Sequence, residues 1–154
     1  MNSDEIKSII EELLQKLSAE FVSVDFSDEE GDGVIRFAIK TNEPDVLIGR
    51  DGITLLAMNH VVRKMAEKED DPLNPKFIID VNDYQKNKLD ELKQKAKMMA
   101  ERARFFKSSI PLEPMSSYER MIVHSFLSVF DDLATESAGE GPLRHVVIKY
   151  KDDE

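Results

Sequence analysis

Residues 84–107, "YQKNKLDELKQKAKMMAERARFFK", constrain this chain more than any other stretch. Leu89, Leu92, Ala96, Met99, Ala103 and Phe106 recur at steps of three and four. That period predicts one continuous seam on a helix of about five turns. Lys86, Lys88, Lys93, Lys95, Lys97 and Arg104 fall on the opposite face. The stretch holds eight positive and three negative charges, an excess of five inside a chain of formal net charge −10. Such a helix can join two lobes while packing on one of them. Its basic face serves either a polyanion or solubility, and charge pattern alone leaves both open.

The chain before this helix alternates helix and strand signals. Ser3 is placed to cap a first helix, whose stripe is Ile6, Ile9, Ile10, Leu13, Leu14 and Leu17. "FVSVDF" and "VIRFAIK" alternate apolar and polar residues around the turn signal "SDEEGDG", which predicts a hairpin with one buried face. Pro44 can open a short helical turn through Val46 and Ile48. A helical period resumes at Ile53 and continues through Leu55, Leu56, Val62 and Met65. "EKEDDPLNP" is a polar connection, "KFIIDV" is a third strand, and Asp83 is placed to cap the long helix.

Between the short turn and the resumed helix lies Gly49-Arg50-Asp51-Gly52. Glycines allow backbone to approach another backbone without an intervening Cβ. Amides at the start of the following helix would point outward at the positive end of its dipole. A sugar-phosphate backbone can lie on that surface, with Arg50 supplying a charge to a phosphate. Asp51 opposes this by repelling phosphate, unless its carboxylate orients Arg50 or caps the next helix. Ile48, Ile53 and Leu56 either line an apolar groove beside the tip or belong to the core.

Beyond the long helix, the two prolines of "IPLEP" exclude helix and leave an edge strand or extended linker. Ser116 or Ser117 caps a helix with Ile122, Val123, Phe126, Leu127 and Phe130 inward. Arg120 and His124 are four residues apart, about 40° on the helix, and share one face. Both can donate to one phosphate. "LATES", a Gly-Glu-Gly-Pro turn and "LRHVVIKY" complete the chain.

Strand, short helix, Gly-x-x-Gly, helix and strand in that order resemble the KH fold. The preceding helix and strand resemble its type II arrangement, and the fold clamps about four nucleotides of single-stranded nucleic acid. "EPMSSYERMIVHSFL" followed by "TESAGEGPLRHVVI" resembles the Arg-x-x-x-His, or R-3-H, domain. The match runs through the capping serines, Arg120, His124, Ser137, Gly139, Gly141, Pro142 and Arg144. The two together resemble the bacterial Jag/KhpB family. The resemblance implies an α+β chain: a KH domain over 1–83, a basic linking helix over 84–107 and a small α/β R-3-H domain over 108–154. It starts directly at the KH helix, which implies the form without the N-terminal Jag domain. The resemblance also implies cytoplasmic, chaperone-like binding of single-stranded RNA, linked to cell-wall growth and cell shape, with a small KH protein as partner. Carried over by position, Ile48, Gly49, Arg50, Asp51 and Gly52 would hold one part of the RNA backbone. Arg120, His124 and Arg144 would hold another, with Lys86, Lys93 and Lys97 adding charge.

Other functions are disfavoured. No run approaches the roughly 18–20 apolar residues of a membrane span. The chain has no cysteine, which fits a reducing compartment. His60, His124 and His145 lack metal-ligand spacing, and there is no phosphate-binding lysine loop. We therefore expect no enzyme, metal or cofactor. The alternative is a protein-interaction module or homodimer, since acidic surfaces and a long seam also suit protein partners.

Overall fold

The chain is α+β in a computed structural model that describes residues 2–28, 31, 33–66 and 76–151. It divides into two compact units, the first ending at Lys86 and the second starting at Asn87.

The first unit opens with α1 (Ser3–Lys16). Asn2, not Ser3, caps it, through a reciprocal pair with Glu5 in which each side chain accepts from the other's backbone N–H. Ile6, Ile10 and Leu14 are buried, whereas Leu17 lies past the last turn and is exposed. β1 (Ser23–Ser27) and β2 (Ile35–Lys40) pair antiparallel, with Val24 opposite Ile39 and Phe26 opposite Phe37. The intervening turn lies partly outside the described residues, and the connection 67–75 lies wholly outside them. β3 (Phe77–Val81) joins β2 in parallel, so the sheet order is β1-β2-β3. Phe37, Ile39, Ile79 and Val81 are fully buried on its inner face beneath α1 and α3 (Ile53–Met65).

β3 is an edge strand, and an edge leaves unpaired backbone groups. Asn59 of α3 closes it. Its side chain accepts from the Ile79 N–H at 2.8 Å and donates to the Ile79 carbonyl at 3.0 Å. The same amide donates to the Leu55 carbonyl one turn back. One buried polar residue thus fixes the height of α3 against the sheet.

α4 (Tyr84–Phe106) is the long helix. Its first turn is capped from β3: the Asp80 carboxylate accepts from the Gln85 and Lys86 amides at 2.8 and 3.0 Å. Asp83, expected in that role, has a left-handed backbone together with Asn82, which reverses the chain between strand and helix.

In the second unit, Ala96, Ala100 and Ala103 of α4 are buried with Val123, Leu127, Leu133, Val146 and Ile148. The seam ends there. Phe106 is 67 % exposed rather than inward. Arg104 also departs from the solvated basic face, making a two-point ion pair with Asp132 at 2.6 and 3.1 Å. β4 (Ile110–Pro111) is an edge strand, one of the two readings "IPLEP" left open, in a sheet ordered β4-β6-β5. α5 (Ser117–Leu127) packs on that sheet, and β5 (Leu133–Ala138) pairs antiparallel with β6 (His145–Tyr150).

Replacing Asn59 by Leu keeps the volume but leaves the Ile79 N–H and carbonyl without partners in a buried place. The variant is expected to lose about 2–3 kcal/mol, read as a lower urea midpoint at unchanged slope.

Candidate nucleic-acid interface

The first candidate site is the tip between α2 (Pro44–Ile48) and α3. Gly49 has φ 73° and ψ −177°, a region populated essentially by glycine alone. A Cβ there would run into the Thr54 side chain, 2.8 Å from its Cβ. Gly52 has φ 80°, and a Cβ there would stand 3.0 Å from the Tyr84 ring. Gly49 is therefore required by packing as well as by backbone conformation, and at Gly52 the left-handed backbone adds to a tight contact with the Tyr84 ring. Asp51 between them is itself left-handed, at φ 54° and ψ 25°.

Arg50 and Asp51 are both exposed. Of the amides expected to face outward, that of Ile53 is used in the tip's own turn and donates to the Arg50 carbonyl, while Gly52 N–H donates to the Gly49 carbonyl. α3 has no side-chain cap, so Asp51 does not fill that role. The apolar residues beside the tip resolve into two kinds. Ile48 is half-buried against the core. Ile53 and Leu56 are 65 % and 69 % exposed, and Val46 is exposed as well. An apolar surface thus adjoins the tip on both flanking helices.

The second site is built on α5 and the turn before β6. Ser116 caps α5, reciprocally with Glu119. Arg120 reaches back to the Ser117 hydroxyl at 2.9 Å. Arg144 donates to the Gly139 carbonyl at 2.8 Å, across the tight turn Gly141–Leu143. A Cβ at Gly139 would lie 2.9 Å from the Leu143 carbonyl oxygen, so this turn also depends on glycine. Arg120 and Arg144 line one open hollow with Met115, Ser116, Ser117 and Pro142.

His124 does not line that hollow. Its Nδ1 lies 2.6 Å from the Thr135 hydroxyl and its Nε2 3.1 Å from the Ser137 hydroxyl, both on β5. Burial, and then the charge of Arg120, push its pKa below the ordinary 6.5. A neutral ring suits two hydroxyls, because one can accept from the N–H while the other donates to the bare nitrogen. His124 therefore braces α5 against β5, and Arg144 takes the place beside Arg120 that the four-residue spacing gave to His124. The hydroxyls at Thr135 and Ser137 were the sequence signal for this: alternate positions on one strand face. Lys86 and Lys97 are exposed and Lys93 is half-exposed.

Residues 90–150 match the R-3-H domain. The chain is 34 % identical over 145 residues to RNA-binding protein KhpB of Clostridium symbiosum, across 92 % of this chain and 64 % of that protein. It is 33 % identical over 129 residues to RNA-binding protein KhpB of Bacillus subtilis (strain 168), across 82 % and 62 %. The chain belongs to the Jag/KhpB family over the region aligned. It spans less than two thirds of those two relatives. Among the described residues, no helix is long and apolar enough to cross a membrane.

Two outcomes are expected from this geometry. Gly49→Ala should cost about 1–3 kcal/mol from backbone strain, and adding Thr54→Ala should recover only part of it, as read by urea unfolding. For His124 the folded pKa is depressed, so the unfolded chain binds the extra proton. Its contribution is complete above the unfolded pKa and is lost as pH falls through the window below it. The thermal midpoint of the wild type should therefore fall more steeply below pH 6.5 than that of His124→Gln.

Proposed function

We propose that this chain is a non-catalytic binder of single-stranded RNA with two grips, one on each unit. The first grip is the Gly49–Gly52 tip of a type II-like KH domain over 1–83, with Arg50 on a phosphate. The second is the hollow of an R-3-H domain over 108–154, with Arg120 and Arg144 on another. Lys86, Lys93 and Lys97, on the helix over 84–107, add positive charge.

One observation carries the proposal. Ile53 and Leu56 are exposed at the head of α3, directly after a tip that glycines keep bare. Large apolar side chains lose by facing water, and bases above them would cover that surface while the sugar-phosphate backbone passes the tip. The order helix, strand, strand, helix, tip, helix, strand, with β2 and β3 parallel, supports the KH assignment. So does membership in a family whose named relatives are RNA-binding proteins. Aliphatic side chains have no ring to stack on and no hydrogen-bond code, so this grip holds bases without selecting them. That is chaperone-like behaviour.

His124 acts here through position. It fixes α5 on the sheet and so sets where Arg120 stands. Asp51 weakens the first grip, and the second grip on the same strand offsets this through effective concentration.

Binding of a short single-stranded RNA, followed by fluorescence anisotropy, tests the proposal. Arg50→Asp and the double variant Arg120→Ala/Arg144→Ala should each weaken binding by about tenfold or more, the scale of a lost charge-assisted contact. Three phosphates neutralised should give a slope of log affinity on log salt of about −2 for the wild type. Equal affinity in all three proteins would remove the proposal.

A further inference from the structure

The end of α4 carries an aromatic pair that none of the packing uses. Phe105 is 81 % exposed and Phe106 is 67 % exposed. Their rings meet edge to face, with centroids 5.0 Å apart and planes at 87°. Their position is fixed from behind. Ala103 is buried in the second unit's core. Arg104 is held by Asp132 and lies 4.6 Å from the centre of the Phe130 ring. Lys107 then leaves the helix with φ 51°, and the Ser108 N–H closes the end on the Ala103 carbonyl. The two rings thus stand on a clamped helix end and cannot fold back into the seam.

We propose that Phe105 and Phe106 form a stacking platform for bases of single-stranded RNA, a third contact beyond the two phosphate grips. This rests on the RNA-binding reading above. The charge around the rings selects this occupant. Arg102 is three and four residues before them, so it shares their face one turn back. Lys107 follows directly, and both cations are exposed. From Arg102 to Lys107 the chain has three cations and no carboxylate, although its net charge is −10. Glu101, four residues before Phe105, shares part of that face by the same spacing, and Met98 extends it as a further exposed apolar side chain. Exposed rings bordered by Arg and Lys match a strand of bases joined by phosphates, because any base presents a π-face and each linkage a negative charge. A second copy of this chain would instead bring Arg102 and Lys107 against their own like charges.

The test uses the full chain with two oligonucleotides of equal length, a uridine strand and a matching strand with abasic positions. Size measurement runs alongside. The wild type should prefer the base-bearing strand. Phe105→Ala/Phe106→Ala should lose at least about fivefold in affinity for it, the low end of one stacked base. That variant should lose little on the abasic strand. Phe105→Trp/Phe106→Trp should retain or strengthen binding, which a merely structural role would not produce. Unchanged affinity of the alanine variant on both strands would overturn the platform while leaving the two phosphate grips standing. So would a wild-type dimer that becomes monomeric in the alanine variant with RNA affinity preserved. Absence of RNA binding by the wild type would remove both proposals together.

Discussion

At the tip of the first unit the backbone passes against the Thr54 side chain, which leaves no room for a Cβ at Gly49, and against the Tyr84 ring, which a Cβ at Gly52 would crowd at 3.0 Å. This constraint links parts of the chain far apart in sequence. Tyr84 reaches the tip only because Asn82 and Asp83 turn the chain with left-handed backbones and Asp80 anchors the first turn of α4. Thr54 stands where it does because Asn59, five residues further along α3, is bolted to the edge of β3. Gly49 and the single 3-10 turn Arg50–Gly52 are thus held by a strand, two helices and a chain reversal. Arg50 is exposed by the rigidity of its surroundings, not by looseness of the loop.

The second unit solves the same problem with different chemistry. Its cationic hollow sits on a helix braced to a strand through the imidazole of His124 and two hydroxyls. A neutral ring between hydroxyls costs less to bury than a cation would, and it leaves the positive charge to Arg120 and Arg144. Nearby, Arg104 gives up its charge to Asp132 and its flat face to Phe130. That local use of one cation holds the end of α4 and, as its consequence, turns Phe105 and Phe106 to solvent.

Much of this arrangement was legible in the sequence. Alternation located β1, β2 and β6, and the three- and four-residue steps located α1, α4 and α5. The two prolines of "IPLEP" left an edge strand or an extended linker, of which the edge strand forms, and a glycine-bracketed tip stood between two helices as expected. The misses share a cause: each depends on contacts between segments. Asp83 and Asp80 are both near the start of α4, but only the strand geometry aims Asp80 at its amides. Phe106 continues the seam by period, but the core ends one turn earlier, at Ala103. A spacing of four puts Arg120 and His124 on one face without saying that the ring would meet β5. Ile53 and Leu56 read equally as core or groove, and exposure decides for the surface.

That an acidic chain should grip a polyanion, as proposed, is not a contradiction once the charges are placed. At physiological ionic strength an exposed charge is felt over about 8 Å, so the potential at a contact is set by its neighbours rather than by the sum of −10. The cations proposed to touch RNA stand on surfaces of small local extent: one at a tip, two around a hollow, two beside a pair of rings. Such an arrangement, as proposed, disfavours a long stiff duplex, whose phosphates cannot converge on a few separate positive points. It tolerates a flexible single strand, which can bend to place its phosphates at the few positive points and its bases on the apolar ones. On the proposed binding, the scarcity of positive points then acts as a filter on the stiffness of the partner.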